Sequence, residues 1–516
     1  MNQSSEARDG TIDLASGPFA SLVIQNVIVI DGSGAPAIGP MDIWIENDRI
    51  TRVVKSPGAG VTVGKESAQP PRADRIIDGT GLYATPGLID THMHIHDSAD
   101  APRDSYWYKL LLGSGVTTVR TFDVGDMTPA EMVAEKHRIE SSNVPAPRLY
   151  VYPKWGENPD EGVFHRYSDP EEARAIVNEW ADLGVDGIKI RERPGILPEI
   201  FYPVADQARQ RGIGLAVHIG QEGVVDLNAV NIAEGGATSI EHHYGYGEAA
   251  FSNRTIQDMP AEYNYTNEEQ RFIQTAHAWR QADREKLFGE VTDRLLAQSN
   301  DNGFFMVPTF AAYEKQRDPG RMKTLPWFAD YAPPGLSQHW WPNPRRHSSV
   351  FFESTSEKEA LYDQMFRTWF EFVNAYKNRG GNVSVGSDPF GGWYSLAGFY
   401  TVRELELLQH AGFNALEVIR AATWNGARCL GADDLGLIRP GYLADIVLLR
   451  ENPLRDFKVY YPTGLERWDR ETGEKSTIEG IKYTIKDGTV YDNAALLKEV
   501  REAVAHDRTR FPPPRQ

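Results

Sequence analysis

The stretch Gly87-Leu88-Ile89-Asp90-Thr91-His92-Met93-His94 carries a short apolar run that ends in two histidines one residue apart. On a β-strand, residues i and i+2 point to the same face, so His92 and His94 are expected to leave the strand side by side. Two imidazoles in that arrangement can bind one metal ion. The alternative is a chance H-x-H on a solvent-facing strand, and the rest of the chain has to decide between them.

Composition excludes several classes of protein. The chain has 516 residues, 41% hydrophobic and 24% charged, which is typical of a soluble globular protein with more than one structural part. Its formal net charge of -18 argues against nucleic acid and anionic membranes as partners, since both bind basic surfaces. The single cysteine, Cys429, excludes an internal disulfide. Without a signal peptide or a run of about 18 apolar residues, we expect no membrane span and a cytoplasmic location.

The distribution of strand-like and helix-like segments predicts the domain organisation. Short strand-like runs in residues 19–80 and 431–495 predict one small β domain built from both chain ends, flanked by a disordered tail at 1–18 and a C-terminal helix or tail at 496–516. In residues 81–430, short apolar strands alternate with helical stretches, the pattern of parallel βα units in an α/β fold. Eight strands in series favour a (β/α)₈ TIM barrel. They are expected at Gly87–Asp90, Thr117–Phe122, Arg148–Tyr152, Gly187–Ile190, Leu215–Val217, Ser239–Ile240, Phe304–Val307 and Asn382–Val385.

Polar, metal-competent residues lie at or next to the ends of five of these strands, where barrel enzymes have their active sites. They are His92 and His94, Lys189, His218, His242 with its neighbour His243, and Asp388. Nitrogen and oxygen ligands without cysteine suit zinc, with manganese, iron and cobalt as alternatives. Counting one of the two adjacent histidines, these six ligands are enough for two ions that share a bridging ligand, the arrangement that generates hydroxide at neutral pH.

Lys189 is the unusual member of this set. An ammonium group beside two dications is repelled, which lowers the pKa of the lysine. Its neutral amine can then react with carbon dioxide to form a carbamate, whose two oxygens can bridge both metals. The alternative is a structural lysine that pairs with an acidic neighbour, Asp186 or Glu192.

Two long insertions, at 244–303 and 311–380, separate the last three predicted strands. The second is rich in aromatic residues, among them Trp327, Tyr331, Trp340 and Trp341. Loops of this length are lids, binding segments or disordered, and the aromatic content argues against disorder. We interpret the second insertion as a cap over the barrel mouth, with an oligomer interface as the alternative.

Several segments together resemble the amidohydrolase superfamily, in the branch that includes imidazolonepropionase-like enzymes, metal-dependent prolidases and ochratoxin amidase. The similar segments are Thr85–His94, Gly184–Ile190, Ala237–His242 and Val385–Asp388, followed by the C-terminal tracts Ala421–Arg428 and Leu435–Val447. The resemblance implies a (β/α)₈ barrel with a β-sandwich from both chain ends. It also implies a binuclear metal centre.

The resemblance assigns roles residue by residue. His92, His94 and Asp388 would hold the more buried metal, and His218 and His242 the other, with His242 preferred over His243. Carbamylated Lys189 would bridge the two ions. A metal-bridging hydroxide would attack the carbonyl carbon, and Asp388 would take its proton and pass it to the leaving nitrogen.

The substrate loops depart from the family pattern. Many relatives carry Gly-Gly-His-Gly after strand three, whereas this chain has Lys154-Trp155-Gly156-Glu157 there, and His165 is a candidate replacement for the missing histidine. Tyr244 and Tyr246 follow the strand-six histidines and are candidate substrate contacts, with packing as the alternative role.

We therefore expect a metal-dependent hydrolase that cleaves a C–N amide bond in an N-acyl amino acid, a dipeptide or an aryl amide. The alternatives are the same centre acting on a carbamate, urea, lactone or cyclic amide, and a non-catalytic scaffold. The expected cofactors are two divalent ions, zinc first, with carbamylated Lys189. The expected partners are a small-molecule amide substrate and further copies of the chain in a homo-oligomer.

Overall fold

A computed structural model describes most of the chain. The described residues are 14–57, 73–97, 101–158, 163–164, 167–191, 196–220, 224, 226–253, 268–301, 303–322, 324–334, 354–389 and 395–510.

Eight parallel strands, β1 to β8, alternate with helices in the middle of the chain. Their bounds are β1 (Leu88–Ile95), β2 (Val116–Val124), β3 (Arg148–Val151), β4 (Gly187–Ile190), β5 (Gly214–His218), β6 (Ser239–Glu241), β7 (Phe305–Val307) and β8 (Asn382–Val383). Each overlaps one of the strands predicted from the sequence. Strand β1 continues to Ile95, so His92 and His94 lie within the strand rather than beyond its end.

The eight strands form two parallel sheets whose edges are joined by backbone hydrogen bonds. Strands β1 to β3 make one sheet and β4 to β8 the other. Between β3 and β4, the N–H of Lys189 donates to the carbonyl of Pro153 at 2.9 Å. Between β8 and β1, the N–H of Asp388 donates to the carbonyl of His92 at 2.9 Å. The carboxyl ends of β3 and β4, and those of β8 and β1, therefore lie side by side.

Helix boundaries follow local sequence signals. The helix Pro129–Ser141 begins with a capping box in which Thr128 and Glu131 satisfy each other's backbone N–H groups. The helix Pro170–Leu183 is capped by Asp169 and is followed by Gly184. The φ of Gly184 is 95°, a left-handed conformation that glycine adopts without steric strain. No helix in the described part of the chain combines the length and the hydropathy that a membrane crossing requires.

The remaining helices lie between the strands, in the two insertions and at the C-terminus. The α-helices are Tyr108–Gly113, Pro198–Arg211, Ala229–Glu234, Tyr246–Ala249, Glu268–Gln281, Arg284–Lys286, Thr292–Asp301, Phe310–Arg317, Pro319–Met322, Phe328–Tyr331, Ser356–Asn378, Phe399–His410, Ala415–Ala421, Trp424–Cys429 and Asn493–Arg510. Arg103–Trp107 and Leu287–Val291 are π-helical, and Phe457–Tyr460 is a 3₁₀ helix.

Both chain ends contribute to one nine-stranded, mainly antiparallel sheet. Its strands are Ala15–Ser16, Ser21–Val29, Ile38–Glu46, Arg49–Lys55, Arg75–Asp78, Tyr83–Pro86, Ile446–Leu449, Ile481–Lys486 and Thr489–Asp492. Ala15 and Ser16 pair with Tyr491 and Val490, inside the segment expected to be a tail. Two short hairpins complete the strands, Glu157–Asn158 with Val163–Phe164 and Leu465–Trp468 with Lys475–Ile478.

The described aromatic residues of the second insertion belong to the core. Trp327 stacks on Phe399 and Tyr461, with ring centroids 5.0 and 5.2 Å apart. The hydroxyl of Tyr331 donates to the carbonyl of Pro462 at 2.9 Å. Both aromatic side chains are buried against residues of the C-terminal third of the chain. Trp340 and Trp341 lie outside the described residues.

Asp445 connects the antiparallel sheet to strand β3. Its side chain, 4% exposed, accepts a hydrogen bond from Arg148 Nη1 at 2.7 Å and another from the N–H of Asp487 at 3.0 Å. We expect Asp445→Asn to lower the free energy of unfolding by about 1–3 kcal/mol, because Arg148 loses a buried charged acceptor. Urea denaturation measures this change. If the variant has the same urea midpoint and the same dependence of the unfolding free energy on urea as the wild type, the ion pair of Arg148 and Asp445 does not stabilise this connection.

Candidate metal centre

Four histidines form a continuous row at the carboxyl ends of β1, β5 and β6. Neighbouring ring centroids are 5.5 Å apart for His94 and His92, 4.8 Å for His92 and His242, and 4.5 Å for His242 and His218. His218 is half-buried, whereas the other three are buried. The alternation of β1 places His92 and His94 on one side of the strand, as their spacing predicts. Four side chains that are far apart in the sequence thus meet at one place.

Asp388, which follows β8, completes a compact group with the two histidines of β1. Its Oδ1 lies 3.6 Å from His92 Nε2 and 3.4 Å from His94 Nε2. Among the described residues, this trio is the one group of at least three histidine, cysteine or acidic side chains whose ligand atoms all lie within 4.8 Å of one another. Ligand atoms of a tetrahedral zinc site with bonds of about 2.1 Å are about 3.4 Å apart. The trio therefore fits a metal ion.

Three residues of the site have a left-handed backbone conformation. The φ angles are 68° for His242, 54° for Thr309 and 45° for Asp388, at the carboxyl ends of β6, β7 and β8. Such a conformation costs a non-glycine residue about 1–3 kcal/mol and is concentrated at functional sites. Backbone strain is thus concentrated at the strand ends, beside the candidate ligands.

Burial favours the neutral form of two of the histidines. It lowers the pKa of both His92 and His242 well below the ordinary value, because the charged ring is poorly solvated there. Metal binding needs the neutral imidazole. The Nδ1 of His242 lies 2.6 Å from the hydroxyl of Thr309. The adjacent His243 packs instead on Trp369, with ring centroids 4.8 Å apart.

Lys189 is buried, and its Nζ makes no hydrogen bond to any described residue. The amine lies 4.0 Å from the centre of the Phe122 ring, which itself meets His92 edge-on at 4.6 Å. Burial lowers the pKa of Lys189 to about 7. A buried amine that makes no hydrogen bond to a described residue is a group that a modification or a bound ligand would stabilise.

Lys189 does not pair with Asp186, one of the two acidic neighbours proposed as its partner. Asp186, one of the two proposed partners, accepts hydrogen bonds from Lys136 Nζ at 2.6 Å and from the N–H of Val151 at 2.8 Å. Glu192, the other proposed partner, lies outside the described residues.

The candidate substrate contacts have different surroundings. Tyr244 lies on the ring of His218 at 5.0 Å and accepts a hydrogen bond from the hydroxyl of Tyr313 at 3.2 Å. Tyr246 is buried against Phe372 at 5.4 Å, which is the packing arrangement considered as its alternative. His165 lies outside the described residues. The structure thus brings Tyr244 into contact with the candidate ligand His218 and records no such contact for Tyr246.

No role was predicted for four charged residues that lie behind the histidines, although Glu241 and Lys154 stand in segments quoted from the sequence. Glu241 and Arg120 contact one another behind His92, and Asp123 and Lys154 contact one another behind His94. Asp123 carried a usable signal, because it is a polar residue at the end of a predicted strand. The sequence gives no comparable signal for Arg120, because a charged residue within an apolar strand does not indicate which residue it pairs with.

Comparison with known proteins identifies the family. The sequence model of the amidohydrolase family matches residues 83–265 and 367–505, more than half of the chain. This chain belongs to the amidohydrolase family. The resemblance drawn from the motifs is thereby confirmed.

Individual relatives of this amidohydrolase are distant. Ochratoxinase of Aspergillus niger is 33% identical over 111 residues, and the match covers 21% of each chain. The amidohydrolase thus spans about a fifth of the length of the curated relatives that it first matches.

Solved structures share the fold over nearly the whole chain. Bottromycin amidohydrolase has a TM-score of 0.62 at 18% identity, covering 95% of this chain and 91% of that one. A Xaa-Pro dipeptidase with methionine in its active site has a TM-score of 0.58 at 19% identity, covering 92% and 100%. Ochratoxinase of A. niger has a TM-score of 0.57 at 17% identity, covering 92% and 96%.

Proposed function

We propose that this amidohydrolase is a metal-dependent enzyme that cleaves a C–N amide bond. The observation that carries the proposal is the group of His92, His94 and Asp388, whose ligand atoms have the spacing of a metal site. Membership of the family supports it. For the substrate we propose an N-acyl amino acid, a dipeptide or an aryl amide, and the likeness to ochratoxinase and to a Xaa-Pro dipeptidase supports this class.

The proposal includes a closed (β/α)₈ barrel in residues 81–430, with a β-sandwich from 19–80 and 431–495. Two observations support closure. Backbone hydrogen bonds join the parallel sheets at both edges, between β3 and β4 and between β8 and β1. All candidate ligands lie at the carboxyl ends of the parallel strands, where barrel enzymes carry their active sites.

We assign one divalent ion to His92, His94 and Asp388 and a second to His218 and His242, with carbamylated Lys189 between them. Zinc is the first candidate, because the ligands are imidazoles and oxygens and the geometry fits a tetrahedral site. When bound, such ions supply a Lewis acid for the carbonyl oxygen and lower the pKa of a nearby water. The short ring-to-ring distance between His218 and His242 supports the second assignment.

Asp388 is the residue that we propose moves the proton. Its side chain is 18% exposed, whereas the side chains of His92 and His94 are 1% and 7% exposed. Asp388 is thus the most exposed of the three residues of the trio. From there its carboxylate can accept a proton and return it to the leaving nitrogen. The hydrogen bond from its N–H to the carbonyl of His92 holds it in place.

Tyr244 and a small apolar recess beside His218 are the proposed substrate contacts. The recess is lined by Ile190, Val217, Ile219 and Leu227 together with His218. Apolar walls of this kind would favour an apolar substituent of the amide, and the centre of the Tyr244 ring lies 5.0 Å from that of the His218 ring. The hydrogen bond from Tyr313 holds the Tyr244 hydroxyl in place.

A hydrolysis panel tests the proposed bond specificity. Protein reconstituted with zinc and bicarbonate is assayed against N-acyl amino acids, dipeptides, aryl amides, carbamates, a urea, lactones and cyclic amides. We expect turnover of at least one linear amide, its loss on treatment with a chelator, and its return with Zn²⁺. Turnover confined to carbamates, ureas, lactones or cyclic amides would contradict the amide assignment. Turnover that survives chelation would contradict the metal dependence.

A further inference from the structure

We propose that Glu241 and Asp123 are positioning residues that set His92 and His94 as metal ligands, and that each carboxylate is held by its own cation, Arg120 or Lys154. This inference rests on the metal centre proposed above. It assigns a role to four charged side chains that are not themselves proposed ligands. The two arrangements share one design, a histidine, a carboxylate and a cation in series.

The first arrangement lies behind His92 and is closed to solvent. His92 Nδ1 lies 2.5 Å from Glu241 Oε2. The other oxygen, Oε1, accepts from Arg120 Nη2 at 2.7 Å and from the hydroxyl of Ser239 at 2.6 Å. The side chains of Glu241 and Arg120 are both 0% exposed. A buried carboxylate with this set of donors has a fixed position and a neutralised charge.

Arg120 also holds the backbone that carries the ligand. Its Nε donates to the carbonyl of Thr91 at 2.5 Å, directly before His92 in β1. The guanidinium therefore contacts both the carboxylate behind the His92 ring and the strand from which the ring extends. Its rigid, planar set of donors suits such a double contact, which a lysine cannot reproduce.

The second arrangement lies behind His94. Asp123, at the end of β2, places Oδ2 at 2.8 Å from His94 Nδ1 and at 2.6 Å from Lys154 Nζ. The side chains are 14% exposed for Asp123 and 12% for Lys154. This second series is therefore more accessible than the first, and a substitution in it disturbs less of the core.

These contacts determine which ring nitrogen can bind a metal. An ionised carboxylate only accepts hydrogen bonds, so Nδ1 of His92 and of His94 must each carry the hydrogen. With the hydrogen on Nδ1, the nitrogen left to bind a metal is Nε2, which lies 3.6 Å from Asp388 Oδ1 in His92 and 3.4 Å in His94. A carboxylate behind a histidine also makes the ring a stronger ligand. His242 differs, because the hydroxyl of Thr309 can donate or accept and leaves its tautomer open.

Amide variants test the proposal, since they keep the shape and remove the charge. Apo protein is titrated with Zn²⁺ in competition with a chromophoric chelator, and Co²⁺ spectra report the ligand field. We expect Asp123→Asn and Glu241→Gln each to weaken Zn²⁺ binding at the site of His92, His94 and Asp388 about 10- to 100-fold and to change the Co²⁺ spectrum. An amide can turn its NH₂ group toward Nδ1, which moves the ring hydrogen to Nε2 and removes the ligand. Asp123→Glu, which keeps the charge, is expected to restore part of the affinity.

Asp445→Asn is the matched control, because Asp445 is a buried aspartate paired with an arginine but contacts no candidate ligand among its recorded hydrogen bonds. It is expected to lower stability and leave Zn²⁺ affinity unchanged. Wild-type Zn²⁺ affinity in Asp123→Asn would overturn the proposal, whether or not Glu241→Gln folds. An equal loss of affinity in Asp445→Asn would also overturn it, by reducing the effect to general destabilisation. If wild-type protein binds no Zn²⁺, the metal centre itself fails, which is a separate result.

Discussion

Replacing Lys189 by alanine is expected to lower the zinc content from two ions to one or none per chain and to abolish turnover. The Lys189 amine is buried, makes no hydrogen bond to a described residue and lies 4.0 Å from the Phe122 ring. In the proposed centre its carbamate supplies oxygen ligands to both ions, and alanine supplies none. The ion assigned to His218 and His242 is affected most, because those two imidazoles are its only other protein ligands in the proposal.

Metal analysis after refolding with zinc and bicarbonate measures this effect, together with turnover of the best amide from the panel. Lys136→Ala is the control. Lys136 is also a lysine near β4, but it pairs with Asp186 at 2.6 Å and touches no candidate ligand in its recorded contacts. It is expected to retain two ions and full activity. Two ions and full activity in Lys189→Ala would rule out the carbamate bridge.

Replacing Asp388 by asparagine is expected to lower kcat by about 10²- to 10⁴-fold, the range of a lost general acid–base group. Asparagine is the appropriate substitution, because Asp388 has a φ of 45° and asparagine tolerates that conformation better than alanine. The substitution leaves the backbone hydrogen bond to the carbonyl of His92 unchanged. The asparagine side chain keeps an oxygen near the metal, but it cannot accept a proton and return it. Most of the expected loss is therefore in kcat.

Steady-state kinetics with metal analysis on the same samples separates catalysis from binding. Asp487→Asn is the control, since Asp487 is also an aspartate with a left-handed φ, of 50°, in the turn between two strands of the antiparallel sheet. It should change stability only. A kcat equal to that of the wild type in Asp388→Asn protein holding two zinc ions would exclude Asp388 as the proton carrier.

Local periodicity explains why much of the fold was predictable. Each of the eight parallel strands is a short apolar run, and alternation along β1 is enough to place His92 and His94 on one side. The position of Asp388 followed from the same rule that places active-site residues at strand ends. Those features depend on neighbours in the sequence.

The unpredicted features depend on contacts between distant residues. Glu241 and Arg120 are 121 positions apart, and the sequence around neither shows that they meet. The hydroxyl of Thr309 reaches His242 from the next strand, in a backbone conformation that threonine rarely adopts. The aromatic content of the second insertion argued against disorder, but nothing in its sequence indicated that Trp327 stacks on Phe399 and Tyr461.

The most direct test of the two-metal centre is anomalous diffraction at the zinc edge, from crystals of protein reconstituted with zinc and bicarbonate. We predict two anomalous peaks per chain. One lies between His92 Nε2, His94 Nε2 and Asp388 Oδ1, and the other lies beside His218 and His242, with electron density for a carbamate on Lys189. Absence of a peak at the first position, or a single peak with an unmodified Lys189, would contradict the proposed centre.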